Sequence, residues 1–308
     1  MKQLSAILIA TIFFAHPIAS QTFLVFGGKT GWIGQQLVTL LQAEGHTALC
    51  ATARLENRTD ILQEIDHVKP DCIINAAGIT GRPNIDWCED HKIETLRANI
   101  IGALTVADCA CIHNIHCITL GTGCIYEYDA QHPIHSGIGF TEEEKPNFHG
   151  SFYSHTKTML DDLLTYYPNV LNLRLRMPIS DDLSPRSLVT KISGYAKVIN
   201  VPNSMTVLYD LLPLIPEMAR RKLTGTYNFV NPGTVSHNEI LDLYKKYIDP
   251  HFTYTNFTIE EQNTILKAAR SNNELNASKL LKEFPHIPTV KQSLEKVFQR
   301  MQKNLHIQ

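Results

Sequence analysis

Along the first half of the chain, short apolar runs alternate with longer stretches in which apolar residues recur at helical spacing. Thr22-Phe-Leu-Val-Phe26 is one such run, and the amphipathic stretch from Trp32 to Ala43 follows it. The pattern predicts strands at 22–27, 47–52, 71–75, 115–121 and 170–175. Helices are predicted at 31–45, about 59–66, 86–113 with room for a break, and 151–167. Strand and helix in alternation imply crossover connections, so the expected class is α/β with a doubly wound parallel sheet. Beyond Met177-Pro178 the periodicity becomes irregular, with helices expected at 186–194, 209–222, 236–247, 258–267, 276–282 and 290–303. These would build a smaller C-terminal lobe over the carboxyl edge of the sheet, with ligands bound between the lobes.

The glycines carry the first chemical signal. Gly28, Gly31 and Gly34, with Thr30, Trp32 and Ile33 between them, form a G-x-x-G-x-x-G turn after the first strand and at the start of the first helix. Glycine lets backbone N–H groups and a helix N-terminus approach a pyrophosphate, so the turn reads as a dinucleotide site; a turn with packing duty only is the bland alternative. After the second strand an NAD enzyme would present an acid to the ribose hydroxyls. Here Arg54 and Arg58 stand in Ala53-Arg-Leu-Glu-Asn-Arg58 instead, which suits a 2′-phosphate and favours NADPH, with NADH as the other candidate. Asn75, Ala76 and Ala77 end the third strand, where small residues let a cofactor pass close. Tyr153 and Lys157 then form a Y-x-x-x-K pair one turn apart on a helix. An ammonium beside a phenol is expected to ease its ionisation, and Thr122 at the end of the fourth strand offers a hydroxyl to a carbonyl being reduced.

With these assignments the fold becomes a Rossmann-like doubly wound parallel sheet with a smaller C-terminal substrate lobe. The divisions are a signal-peptide-like extension at 1–20, an NADP-binding Rossmann domain at 21–178, and a mainly substrate-binding lobe at 179–308, with room for interleaving with the sheet. The formal charge of −2 over 308 residues, with acids and bases interspersed, leaves no basic stripe, so no nucleic-acid partner is expected. Among 14 His there is no H-E-x-x-H or clustered Cys/His spacing, and no metal is expected. Lys2, the apolar run Leu4 to Ala15 and Pro17-Ile-Ala-Ser20 read as a secretory leader, too short for a comfortable membrane span. Against export, the 7 Cys form an odd set that reads as packed thiols. A glycan at Asn57-Arg-Thr59 would also stand in the cofactor groove. The expectation is a cytoplasmic protein without a membrane partner, the secretory reading being the alternative, and a homodimer is the assembly entertained.

The motifs continue in longer strings: Thr30-Gly-Trp-Ile-Gly34, Asn75-Ala-Ala-Gly-Ile-Thr-Gly-Arg-Pro-Asn84, Thr122-Gly-Cys-Ile-Tyr-Glu-Tyr128, Gly150-Ser-Phe-Tyr-Ser154, Arg176-Met-Pro-Ile-Ser180 and Arg270-Ser-Asn-Asn-Glu-Leu275. Over residues 22 to about 300 the chain resembles the nucleotide-rhamnose synthase/epimerase-reductase family of extended short-chain dehydrogenases/reductases, which is also the C-terminal module of plant UDP-rhamnose synthases. The resemblance implies 3,5-epimerisation and then NADPH-dependent 4-reduction of a UDP- or dTDP-4-keto-6-deoxy-D-glucose to the nucleotide L-rhamnose. It implies Thr122, Tyr153 and Lys157 as the reductase triad and Cys124 with Lys191 as the epimerisation acid/base pair. Read from the residues alone, Cys124 is a strand-end thiol and Lys191 a solvated helix charge. The stretch Asp181 to Arg186 is slightly shorter than the family pattern. Arg82 and Arg270, with Asn84 and Asn272, are candidate ligands of the substrate's diphosphate, structural salt bridges being their alternative. The competing functions are a single-activity nucleotide-sugar 4-ketoreductase or epimerase/dehydratase of the same fold, and a catalytically silent NADP-binding sensor.

Overall fold

The computed structural model describes residues 19–306, so the leader-like reading of residues 1–20 lies outside the described residues except for Ala19 and Ser20. The chain opens with β1 (Thr22–Phe26), α1 (Trp32–Ala43), β2 (Thr47–Cys50), α2 (Arg58–Val68) and β3 (Cys72–Asn75). Next come α3 (Trp87–Asp90), α4 (Lys92–Leu96), a π-helical turn (Arg97–Gly102) and α5 (Ala103–Ile112), then β4 (His116–Thr122), α6 (Phe152–Leu164) and β5 (Val170–Leu175). The second half holds α7 (Leu188–Ser193), β6 (Lys197–Val198), α8 (Leu208–Leu211), α9 (Ile215–Arg220), β7 (Gly225–Asn228), α10 (His237–Tyr247), β8 (Thr255–Asn256), α11 (Ile259–Ile265), α12 (Ser278–Glu283) and α13 (Val290–His306).

The main sheet runs β2-β1-β3-β4-β5-β7 with every pairing parallel, so the expected α/β doubly wound class is borne out. Alternation along each strand sorts the core into two layers. Phe23, Val25 and Ile74 face Leu37 and Leu41 of α1 and the α8–α9 segment. Leu24, Phe26 and Ile73 face Ile61 and Ile65 of α2, Val106 of α5 and Leu160 of α6. Lys92–Ile112 is long and apolar enough to cross a membrane by composition, yet Ala103, Val106, Ala107 and Ala110 along it are buried in this second layer.

Two readings of the pattern are corrected. Five strands were expected, whereas β7 adds a sixth beside β5, contributed from beyond residue 178. Its polar Asn228 breaks the apolar run but is buried and donates to the carbonyls of Phe140 and Asn276. The helix expected at 209–222 is divided into α8, a 3-10 turn at Leu212–Leu214 and α9, with a proline in the opening turn of each of the last two. Val189, Ile192, Ile240, Leu294 and Phe298 of α7, α10 and α13 meet in a further core beyond β5 in the sequence.

Candidate active site

The dinucleotide turn is built by backbone contact. Gly27, at φ 79°, turns the chain out of β1 in a conformation that L side chains rarely adopt, and its carbonyl accepts from the N–H of Gly31 at 2.9 Å. A Cβ on Gly27 would lie 2.9 Å from the Ala76 carbonyl, and one on Gly34 would run into the Gly27 oxygen. Gly27 was not among the expected cofactor residues, although it is the one with positive φ. Ile33 and Trp32 pack on the core, the Trp32 indole donating to Asp182 at 2.6 Å. The Thr30 carbonyl accepts from Arg186 at 3.3 Å, so the Asp181–Arg186 loop is tied over the turn. At the end of β3 the Asn75 Oδ1 accepts from Ala77 N–H at 3.1 Å, while its buried Nδ2 has no partner among the described residues. A close-packed cradle beside an unpartnered donor fits a dinucleotide.

Beyond β2, Arg54 is exposed and makes no side-chain hydrogen bond or ion pair among the described residues. Arg58 differs from its expectation. It opens α2 and pairs with Asp108 of α5, which gives its guanidinium a partner other than a phosphate. Glu64 holds the intervening loop by accepting from Thr52 N–H at 2.8 Å and Ala53 N–H at 3.0 Å.

The reactive groups converge where β4 and α6 meet. Ser151 caps α6, and Glu89 accepts from Phe152 N–H at 2.6 Å, which fixes the turn carrying Tyr153. Thr122 Oγ1 accepts from Cys124 N–H at 3.1 Å, so its own proton stays available to another acceptor. The lowering of Tyr153 expected from Lys157 does not prevail. Burial pushes the phenol up, negative charge on Cys124 adds to this, and a hydrogen bond with Thr122 opposes it. Burial brings Lys157 down to about 8. The bare face of Gly78 leaves room for this ammonium, since a Cβ there would lie 3.5 Å from its Nζ and 3.2 Å from Asn99 Oδ1. Asn99 sits in the π-helical turn and clamps Ile79, accepting from its N–H at 2.8 Å and donating to its carbonyl at 2.9 Å. Nothing in the sequence pattern singled it out; its burial in a π turn does.

Cys124, half-buried, accepts from a guanidinium N–H of Arg176 at 2.7 Å, and Arg176 is another residue that pattern reading missed. Thr122, Cys124, Tyr153 and Arg176 therefore form one cluster. Lys191 stands on α7, lowered by burial and by the Arg186 charge, with no side-chain hydrogen bond or ion pair among the described residues. Arg82 is exposed in the loop after β3, and Asn84 there accepts from Asp86 N–H at 2.8 Å. Arg270 is held by Asp86 at 2.9 Å and by the Ala268 carbonyl, which is the structural role weighed against phosphate binding. Asn272 accepts from Asn203 at 2.9 Å.

A model of the NAD dependent epimerase/dehydratase family matches residues 24–181, just over half of the chain. The chain belongs to this family. The bifunctional dTDP-4-dehydrorhamnose 3,5-epimerase/dTDP-4-dehydrorhamnose reductase of Arabidopsis thaliana is 56% identical over 279 residues, 90% of this chain and 92% of that protein. A trifunctional UDP-glucose 4,6-dehydratase/UDP-4-keto-6-deoxy-D-glucose 3,5-epimerase/UDP-4-keto-L-rhamnose-reductase of the same plant is also 56% identical, over 90% of this chain but only 41% of its own length. The crystal structure of the UDP-rhamnose synthase from Acanthamoeba polyphaga mimivirus superposes with a TM-score of 0.87 at 40% identity, over 91% of this chain and 99% of that one. A dTDP-4-dehydrorhamnose reductase from Bacillus anthracis, solved in complex with NADP, shares the fold at 19% identity and a TM-score of 0.77, over 91% of this chain and 98% of that one. These relatives bear out the family read from the motifs.

Proposed function

We propose that this chain takes a nucleotide-linked 4-keto-6-deoxy-D-glucose through 3,5-epimerisation and NADPH-dependent 4-reduction to the nucleotide L-rhamnose. The observation that carries this reading is the clustering of Cys124 with Thr122 and Tyr153. A group able to move protons at the carbons beside a ketone then addresses the same sugar as the group that protonates the ketone oxygen. The curated relative covered almost end to end is named for both activities.

Gly27–Gly34, Ala76 and Ala77, with Arg54 at the 2′-phosphate, would hold NADPH, which when bound would supply the reducing equivalent for C4. The residues of the chain do the rest. The C3 and C5 protons flank the C4 carbonyl, so removing one leaves an enolate stabilised on the C4 oxygen. Cys124 and Lys191 act as the acid/base pair: one takes the proton, the other returns one to the opposite face, and the formula is unchanged. Both are tunable, Lys191 being lowered by burial. Thr122 donates to the C4 oxygen and Tyr153 protonates it on reduction. Because burial holds Tyr153 in its protonated form, it meets the ketone as an acid, which is the state reduction needs. Lys157, one turn along α6, supplies positive charge to the phenolate that forms and would help to hold the cofactor. Arg82, Asn84, Arg270 and Asn272 line the diphosphate path, Arg270 exchanging Asp86 for phosphate oxygens.

The substrate is the partner this reading requires. Exposed Ile93 and Ile101 on the α4–α5 segment and Met159 and Leu163 on the adjacent α6 fit a homodimer through that face. A cytosolic setting suits 7 cysteines that are all free thiols.

Cys124→Ser tests the reading. It nearly preserves volume but replaces an acidic thiol with a hydroxyl, so deuterium exchange from solvent into C3 and C5 should fall by roughly a hundredfold or more. Reduction should persist in part, giving a 4-reduced sugar not inverted at one or both centres. Full L-rhamnose formation by the variant would return Cys124 to packing.

A further inference from the structure

We propose that Arg176 is the positioning residue of Cys124, its buried guanidinium forming a charge pair with an ionised Cys124 sulfur; this rests on the epimerase reading above for its purpose, though not for its test. Arg174 and Arg176 alternate along one side of β5 and its continuation, and both are buried, at 3% and 1% exposure. Arg174 is fully compensated, because Asp161 accepts from its Nε at 2.9 Å and from a terminal nitrogen at 2.6 Å. Two residues on, Arg176 has no carboxylate partner among the described residues. Its fork donates to the Cys124 sulfur at 2.7 Å, to Asn203 Oδ1 at 2.5 Å and to the Ser271 carbonyl, and its Nε has no partner among the described residues.

A guanidinium does not shed its proton in a protein, so the charge stays in the interior and demands compensation. Of its three acceptors, only the sulfur can become an anion. The neighbouring titratable groups do not supply the missing charge. Tyr153 on α6 and Tyr128 after β4 are held protonated by burial. His237, opening α10, is brought down to about 4 by burial and then by Arg176, and so is neutral. Glu274 faces Tyr128 and makes no ion pair with Arg176 among the described residues.

The geometry also explains how the C-terminal lobe reaches the chemistry. Asn203 Oδ1, which receives the Arg176 fork, accepts from Asn273 N–H at 3.0 Å as well. Asn273 in turn donates to the Gly123 carbonyl at 2.9 Å, next to Cys124. Pro202–Thr206 and Arg270–Leu275 thus lock one guanidinium against one sulfur.

The test measures the ultraviolet absorbance of thiolate that belongs to Cys124, as the difference between the full chain and its Cys124→Ala variant near neutral pH. Cys50 and Cys111, also partly exposed, cancel in that difference. We expect a clear thiolate signal in the unmodified background, at least about a tenfold loss in Arg176→Met, and substantial recovery in Arg176→Lys. NADPH binding reports whether each variant folds. With a nucleotide 4-keto-6-deoxyglucose, kcat for C3/C5 deuterium exchange should fall in Arg176→Met with KM changed less than about threefold. Absence of a Cys124 thiolate signal in the unmodified protein overturns the proposal without any Arg176 variant. Retention of signal and exchange in a folded Arg176→Met protein overturns it as well. Because the absorbance needs no substrate, failure of the epimerase reading would leave this result standing, and the reverse holds too.

Discussion

Lys157→Met should make the cofactor-free protein more stable while removing its reductase activity. Lys157 is 8% exposed, and its ammonium makes no hydrogen bond or ion pair among the described residues. Burial takes it from 10.5 to about 8. Each unit corresponds to about 1.4 kcal/mol between protonation states, so the folded state bears about 3 kcal/mol at pH 7 and below, where folded and unfolded chains both carry the proton. As pH rises from about 8 to 10.5 the folded protein releases this proton first and the cost fades, to about 1 kcal/mol near pH 9.5. Methionine keeps an unbranched stem and comparable helix propensity without the charge. Urea unfolding of both proteins should therefore show the variant ahead by up to about 3 kcal/mol at pH 7, with the gap narrowing towards about pH 9.5. The same variant should oxidise NADPH with substrate at least about a hundredfold more slowly. Equal or lower stability of the variant at pH 7, or a gap that does not shrink with pH, would refute the claim that the site holds an uncompensated ammonium.

Two further substitutions separate the remaining roles. Tyr153→Phe should lower NADPH oxidation by about a hundredfold or more while deuterium still enters C3 or C5, because the proton donor to the C4 oxygen is distinct from the epimerising groups; loss of exchange in folded protein would contradict that division. Arg54→Ala should raise KM for NADPH by roughly tenfold or more and leave NADH nearly unchanged, since only the former carries the 2′-phosphate; equal losses in steady-state kinetics would retire Arg54 from this role.

Much of the site was legible because its demands are local. The glycine turn, the Y-x-x-x-K spacing and the strand-end Thr122 each sit in a short segment whose residue types are dictated by backbone approach or by one helical turn. What escaped the pattern depends on contacts between distant segments. β7 is short, opens on Gly225 and carries the buried Asn228, so its apolar alternation is too brief to read. Arg176 resembles Arg174 in sequence, and only the fold gives one of them Asp161 and the other Cys124. Arg58 and Arg270 look equally suited to phosphate in the sequence. Their partners, Asp108 and Asp86, arrive from elements far along the chain.

The central claim, that one site both epimerises and reduces, is tested most directly by incubating the full chain with NADPH and, in parallel, UDP- and dTDP-4-keto-6-deoxy-D-glucose in deuterated water, with the product sugar identified by NMR. The account predicts a nucleotide-linked L-rhamnose bearing solvent deuterium at C3 and C5. A reduced 6-deoxyhexose that keeps its D configuration and its original C3 and C5 hydrogens would contradict it and leave the chain a ketoreductase.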